Sequence, residues 1–119
     1  MSEEPSTPAF GSAPFDRLAD QYDRWFDTDR GSRLFRIELE TIRDLMVGAP
    51  RPWLEVGVGT GRTAEVLGFD EGVDPSAAAL ALAKRRGIRA RFGRGEALPF
   101  ADGSFGVALL MVTLCFLED

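Results

Sequence analysis

The clearest chemical signal in the chain is a run of three alternating glycines, Gly57, Gly59 and Gly61. They follow a short apolar segment, residues 53–56, and precede helix-forming residues 63–67. A strand that leads through a glycine turn into a helix is a ligand-binding arrangement, because glycine admits positive φ angles and the helix N-terminus offers unpaired N–H groups. We therefore expect the nucleotide end of a cofactor at this turn.

The spacing of the glycines argues against two common nucleotide motifs. Gly61 follows Gly59 by two residues, whereas the dinucleotide fingerprint requires three. Gly61 is also followed by Arg62, so the lysine of a phosphate-binding loop is missing. An acid, Glu55, stands before the first glycine, although neither motif requires one. A carboxylate at this position suits a cationic end of the ligand.

Three segments together resemble a known enzyme family. Residues 54–62, with the sequence LEVGVGTGR, resemble motif I of the class I S-adenosylmethionine-dependent methyltransferases, and residues 72–76, GVDPS, resemble the acidic strand end that follows it. Residues 93–105, GRGEALPFADGSF, are similar to a signature of the small-molecule branch, the ubiquinone/menaquinone-type methyltransferases. The resemblance implies that the cofactor is S-adenosylmethionine and that S-adenosylhomocysteine is the product.

The resemblance also implies roles for two acids. Glu55 is expected near the methionine end of the cofactor, within reach of its ammonium group. Asp74, 17 residues after Gly57, is expected at the carboxyl end of the neighbouring strand, where it can accept both hydroxyls of a ribose. Asp74 can also cap the following helix, and the two roles are compatible.

The remaining expected contacts lie around the purine and in an N-terminal helix that closes over the cofactor. Gly95, Glu96 and Ala97 are expected to flank the adenine, although Arg94 stands where the family often has an adenine-reading aspartate. Tyr22 and Trp25 are candidate lid residues; the alternative is that these aromatic side chains simply pack on the core. The complete predicted cofactor-binding set is Tyr22, Trp25, Glu55, Gly57, Val58, Gly59, Thr60, Gly61, Asp74, Pro75, Gly95, Glu96, Ala97 and Leu110.

Hydrophobic periodicity predicts the elements that would position these residues. Residues 15–26 and 33–47 have the pattern of amphipathic helices, the second of them capped by Ser32. Residues 77–86 form a further helix, with Pro75 at the first helical position. The predicted apolar stripe of the helix at 33–47 consists of Leu34, Phe35, Leu39, Ile42, Leu45 and Met46.

Four segments are predicted to be strands, at residues 53–56, 69–74, 88–92 and 105–112. The last is a continuous apolar run, which is typical of a buried strand. Helices alternate with these strands, so we predict an α/β, Rossmann-like fold with a parallel sheet in the order 3-2-1-4, helices on both faces and N-terminal lid helices.

Composition limits the functional classes. The chain has 119 residues, with 14 basic against 19 acidic side chains, so nucleic acid is not expected as a partner. It contains no histidine and one cysteine, Cys115, which excludes His-ligated zinc, a Ser-His-Asp system and an internal disulfide; no metal is expected. An acidic N-terminus and the lack of an apolar run of about 18 residues predict a cytoplasmic protein that does not enter the membrane.

The two ends of the chain carry separate expectations. Residues 1–14 are expected to form a flexible tail before a partial methyltransferase domain at 15–119. The family normally continues through further C-terminal strands, whose absence would leave the fourth strand at an edge. Either the chain is a fragment of a longer enzyme, which we favour, or it pairs through that strand with a second copy. Residues 114–117, LCFL, replace a His-His pair of the family, so no catalytic residue is assigned.

These observations predict an S-adenosylmethionine-dependent methyltransferase that acts on a small molecule by in-line methyl transfer. Such a reaction depends mainly on the position of the acceptor, and a protein base is not essential. One alternative is a non-catalytic module that binds S-adenosylmethionine or S-adenosylhomocysteine. The other is an NAD-dependent oxidoreductase, which is disfavoured by the glycine spacing and by the short distance in sequence from the turn to Asp74.

Overall fold

The structure, a computed structural model, describes residues 12–111, with side chains from residue 18 onward. Within residues 12–111, four helices and four strands follow one another: α1 (Ser12–Trp25), α2 (Asp29–Leu45), β1 (Trp53–Val56), α3 (Arg62–Leu67), β2 (Glu71–Asp74), α4 (Ala77–Arg85), β3 (Ala90–Phe92) and β4 (Val107–Leu110). Of the predicted tail, residues 1–11 lie outside the described residues, as does the segment 114–117 with Cys115. In the part of the chain that is described, no helix combines the length and the apolar character needed to cross a membrane.

The four strands form one parallel sheet in the predicted order β3-β2-β1-β4. β1 lies at its centre, with Val56 opposite Val73 of β2 on one side and Leu110 of β4 on the other. Because parallel strands end at the same edge of a sheet, the carboxyl ends of β1 and β2 meet where the glycine turn begins.

The core lies on both faces of β1, because side chains alternate along a strand. Leu54 and Val56 pack with Val73 on one face, against Phe100 and Phe105. The opposite face holds a larger cluster to which the helices contribute, formed by Ile42, Met46, Val58, Ala64, Phe69, Leu80, Ala83 and Ala90. α1 packs on α4, and α2 on α3.

The predicted cap of α2 and the predicted place of Pro75 are wrong, whereas α4 begins at Ala77 as predicted. The side chain of Thr28, not that of Ser32, caps α2 by accepting a hydrogen bond from Gly31 N at 3.0 Å. Gly31 therefore lies inside the first turn, where a Cβ would collide with the carbonyl oxygen of Trp25, and does not break the helix. Ser76 caps α4 by accepting from Ala79 N, so Pro75 precedes the helix and is not its first residue.

The bounds of several elements also differ from those predicted. α1 begins three residues earlier than residue 15, and β2 and β3 each lose two residues at their beginning. β4 is shorter than residues 105–112 and is not buried on both faces. Val107 and Leu109 pack against the larger cluster, but the described residues leave Ala108 and Leu110 exposed on the opposite face.

The stripe predicted for α2 is only partly buried, and this difference can be tested. Leu54 is 1% exposed, whereas Leu45, at the end of α2, is 80% exposed. We expect Leu54→Ala to lower the free energy of unfolding by about 2–5 kcal/mol, because it removes buried surface and leaves a cavity. Leu45→Ala is the matched control and should change it by no more than about 0.5 kcal/mol. Urea unfolding measures both, and similar losses would contradict this packing.

Candidate functional site

The glycine turn joins β1 to α3 and is fixed to β2. Gly57, Gly59 and Gly61 have φ angles of 83°, 58° and 90°, in the left-handed region that favours glycine. The amides of Gly57 and Val58 both donate to the carbonyl oxygen of Val73, at 2.8 and 2.9 Å. The turn is therefore held at the carboxyl end of the sheet, as the sequence predicted.

The turn packs closely on its neighbours at two points, although a Cβ on Gly59 would meet no atom within 4 Å. A Cβ on Gly61 would lie 3.0 Å from the Cα of Ala83 in α4, so the start of α3 lies directly against that helix. A Cβ on Gly72 would lie 2.7 Å from the Cβ of Val58, which is itself buried. The turn thus rests on β2 and α4 with almost no space between them.

Glu55 lies near the end of β1 and is buried without compensation. The residue is 5% exposed, and its Oε1 has no hydrogen-bond partner among the described residues. Burial raises the pKa of the carboxyl from its ordinary value of 4.5 to about 8, and the negative charge of Asp74 adds to this shift. The side chain is consequently protonated at neutral pH in the protein without a ligand.

Asp74 lies at the end of β2 and faces the same turn. It is 7% exposed; its Oδ2 accepts from Gly59 N at 2.8 Å and its Oδ1 from Ser76 N at 2.9 Å. Because Ser76 caps α4, the predicted capping role of Asp74 is wrong, and Asp74 instead shapes the chain between β2 and α4. Its carboxylate and that of Glu55 lie at adjacent strand ends, with the glycine turn beside them.

The two candidate lid residues lie on α1. Tyr22 is 42% exposed, yet burial and the negative charges of Glu38, Glu55, Asp23 and Asp74 raise the pKa of its phenol. Tyr22 and Trp25 both make edge-on ring contacts with Phe26, at centroid distances of 5.1 and 5.3 Å. Trp25 is 40% exposed, and a cavity of about 520 Å³ opens along this side of α1, lined by Leu18, Gln21, Tyr22, Arg24, Trp25 and Thr28.

The segment expected beside adenine follows β3 and is held in a tight turn. The Ala97 amide donates to the Arg94 carbonyl at 3.0 Å, and the amide of Gly93 donates to the Asp74 carbonyl at 3.2 Å. Arg94 Nη2 lies 3.5 Å from Glu96 Oε2. This segment, which includes Gly95, is thereby joined to the end of β2. Leu110, which is 41% exposed, lies at the end of β4 opposite Val56.

Sequence reasoning missed a group of charged residues behind the turn. The carboxylate of Asp23 accepts hydrogen bonds from Thr60 Oγ1 at 2.6 Å, Arg62 Nε at 2.8 Å and Arg86 Nη2 at 3.1 Å. Sequence motifs assign no role to Asp23, and none to Arg62 beyond its place after the last glycine of the turn. The sequence does contain one signal, because Asp23 stands four residues after the apolar Ala19 and thus on the same side of α1; in the structure Ala19 is buried.

A comparison with known protein families agrees with this geometry. The family model for a methyltransferase domain matches residues 54–119, which include the glycine turn, both acids and all strands of the sheet. The chain belongs to the class I S-adenosylmethionine-dependent methyltransferases. The predicted Rossmann-like fold is confirmed, and S-adenosylmethionine is the cofactor of the family, as predicted.

Individual relatives of this methyltransferase chain are longer than it is. An uncharacterized protein of Mycobacterium tuberculosis is 42% identical over 119 residues, which are 100% of this chain and 42% of the relative. A crystal structure from Thermotoga maritima, of an S-adenosylmethionine-dependent methyltransferase and possible histamine N-methyltransferase, is 39% identical with a TM-score of 0.77. The match covers 88% of this chain and 49% of that one. The chain therefore spans about half the length of these relatives.

A more distant structure shows the fold alone. It is the geranyl diphosphate C-methyltransferase of Streptomyces coelicolor, solved with Mg²⁺, geranyl diphosphate and S-adenosylhomocysteine. Its chain is 21% identical, with a TM-score of 0.57 over 86% of this chain and 42% of that chain.

The protonation of Glu55 leads to a prediction about stability. The folded protein holds this proton more tightly than the unfolded chain, so the free energy of unfolding should fall as pH rises from about 4.5 to about 8 and then level off. Glu55→Gln should remove this slope, whereas Glu40→Gln, on the exposed side of α2, should retain it. The chain has no histidine to titrate in this range. Urea unfolding at several pH values measures the slope; the same slope in wild type and Glu55→Gln would contradict the assignment.

Proposed function

We propose that this protein binds S-adenosylmethionine at the glycine turn and transfers its methyl group to a small molecule. The observation that carries the proposal is the uncompensated burial of Glu55 beside Asp74, at the end of two neighbouring strands. A buried acceptor without a donor costs about 1–3 kcal/mol, so a ligand that supplies a donor or a cation removes this cost. S-adenosylmethionine carries an ammonium group that suits this position.

Each end of the cofactor has a candidate partner in the described residues. Glu55 accepts from the ammonium group, and in doing so loses the proton that it holds in the free protein. Asp74 accepts from the ribose hydroxyls, and its position is fixed by the amides of Gly59 and Ser76. Neutral hydroxyls are suitable partners for Asp74, because its carboxylate already accepts hydrogen bonds from backbone N–H groups and does not need a cation to compensate its burial.

The other predicted residues complete the binding site in this proposal. In this proposal the cofactor approaches the turn at Gly59, where a Cβ would meet no atom within 4 Å, while Gly57 and Gly61 adopt positive φ angles that shape the turn. Val58 and Thr60 hold the turn in place. Tyr22 and Trp25 cover the cofactor from α1. The adenine lies near the segment after β3 and the end of β4, against Pro75, Gly95, Glu96, Ala97 and Leu110.

The protein contributes to the reaction mainly by orienting the cofactor and the acceptor. When bound, the cofactor supplies an electrophilic methyl group on a sulfonium sulfur. The residues of the chain fix that group and exclude water, and the acceptor needs to lie about 3 Å from it and in line with the bond that breaks. We assign no residue as a general base, because placement alone accounts for much of the rate of such a displacement.

We further propose a small-molecule acceptor of the kind used by the ubiquinone/menaquinone-type branch, and a cytoplasmic location. The segment 93–105 supports the branch, and the net charge of −5 argues against nucleic acid as the acceptor. A second copy would pair along β4, which is an edge strand of the sheet among the described residues.

Cofactor binding can be measured directly by calorimetry. S-adenosylhomocysteine should bind the wild type and NAD should not. Asp74→Asn should weaken binding by about tenfold or more, because it removes a charge-assisted acceptor. Asp44→Asn, at an exposed position on α2, is the matched control and should bind as the wild type does. Binding of NAD in place of S-adenosylhomocysteine would overturn the proposal.

Methyl transfer needs its own measurement in the same samples. Protein, S-adenosylmethionine and a cell extract filtered to small molecules should yield S-adenosylhomocysteine, and the yield should fall with Asp74→Asn but not with Asp44→Asn. Binding without any such product would contradict the catalytic part of the proposal and favour a binding module.

The proton on Glu55 makes binding depend on pH. Because the acid must ionise to pair with the ammonium group, we expect affinity for S-adenosylmethionine to rise by up to about tenfold per pH unit between pH 6 and pH 7.5. Titrations in two buffers of different ionisation enthalpy should show release of close to one proton. Glu55→Gln should abolish both effects, and an unchanged proton count in that variant would assign the linkage to another group.

A further inference from the structure

We propose that Asp23 is a positioning residue, which couples the docking of α1 to the shape of the glycine turn. The effect of Asp23 on cofactor binding rests on the proposed function, whereas its effect on the shape of the turn does not. The carboxylate of Asp23, on α1, accepts hydrogen bonds from the turn, from the start of α3 and from the end of α4.

Asp23 contacts the glycine turn directly. Thr60 is 3% exposed, and its hydroxyl donates to Asp23 Oδ1 at 2.6 Å. Arg86 Nη1 donates to the carbonyl oxygen of Thr60 at 3.0 Å, while its Nη2 donates to Asp23 Oδ2 at 3.1 Å. Thr60 is therefore held at its side chain by Asp23 and at its backbone by an arginine that Asp23 orients.

The cluster of Asp23, Arg62 and Arg86 is more buried than an ordinary surface ion pair. The side chains of Asp23, Arg62 and Arg86 are 15%, 18% and 20% exposed, so solvent screens them only weakly. Burial would raise the pKa of Asp23, but the hydrogen bonds it accepts, above all from Arg62, hold that pKa well below its usual range. Asp23 therefore remains ionised throughout the physiological range.

The turn is held from two sides. Asp74 accepts from Gly59 N, and Asp23 accepts from the side chain of the next residue, Thr60. The amides and the left-handed φ angles of the turn are thus fixed between a carboxylate of β2 and a carboxylate of α1. If α1 moves away, only one of these two constraints is left.

The turn is also linked to the lid residues. Tyr22 directly precedes Asp23, and its phenol lies within electrostatic range of Glu55 and Asp74. When Asp23 docks, Tyr22 is therefore brought toward the two acids proposed to bind the cofactor. α1 can close over the site and order the turn in a single movement.

The experiment compares three single variants and one double variant of the whole chain. Asp23→Asn keeps the shape and an oxygen for Thr60 but removes the charge, and Thr60→Val removes the hydroxyl. Asp27→Asn is the matched control, since Asp27 also contacts Arg62 but its side chain is 68% exposed and does not contact the turn. Hydrogen–deuterium exchange of residues 57–63 in the cofactor-free protein reports the turn, and calorimetry with S-adenosylhomocysteine reports binding.

We expect Asp23→Asn to speed exchange in the turn by about tenfold or more and to raise the dissociation constant by a similar factor, with exchange of β1 unchanged. Asp27→Asn should leave both values close to those of the wild type. In the double variant Asp23→Asn with Thr60→Val, the two effects should be less than multiplicative, because both changes break the same contact.

Two results would overturn the inference. In the first, the turn exchanges in Asp23→Asn as it does in the wild type. In the second, exchange rises equally in β1 and in the turn, which would mean that Asp23 acts on the stability of the whole fold. If the wild type fails to bind S-adenosylhomocysteine, the proposed function fails, while the exchange data still decide the role of Asp23.

Discussion

Three acidic side chains surround the glycine turn, and the fold compensates their burial unequally. Asp23 is paired with two arginines, Asp74 accepts two backbone amides, and Glu55 has an oxygen with no partner among the described residues. An ionised group without compensation is costly in a buried position, so Glu55 keeps its proton. Asp23 and Asp74 therefore stabilise the structure, and Glu55 is the acid that is left for a cation in the proposed site.

The position of β1 makes this arrangement unavoidable. Its side chains project alternately onto the two covered faces of the sheet, so Glu55, one residue before the strand ends, is only 5% exposed. The turn that follows lies directly on its neighbours, because Val58 packs on Gly72 and Gly61 packs on Ala83. Dense packing around a parallel sheet therefore forces the polar groups of the turn to find partners nearby or to remain unsatisfied.

The sequence was a good guide to local features and a poor one to distant contacts. It predicted the bounds of β1 and the glycine turn, because strand patterns and glycine spacing are properties of a few adjacent residues, and the strand order followed from the alternation of helices and strands. It misplaced the start of α2, since Ser32 is a suitable cap by residue type and no local pattern reports the close passage of Trp25 at Gly31. It did not predict the Asp23 cluster, whose partners lie 37, 39 and 63 residues away, because no periodicity reports such contacts.

The hydrogen bonds at the turn explain how a glycine-rich segment can be ordered before it binds a ligand. Glycine lowers the steric barrier to approach but raises the entropy lost when the backbone is fixed. Here Asp74 of β2 holds the backbone amide of Gly59 and Asp23 of α1 holds the side chain of Thr60, so less order must be imposed when a ligand binds. Oε1 of Glu55 has no hydrogen-bond partner among the described residues, and in the proposed site it is the group that a cationic ligand satisfies. Under that proposal, specificity for a cationic ligand comes from Glu55, while the hydrogen bonds that Asp23 and Asp74 already make favour affinity.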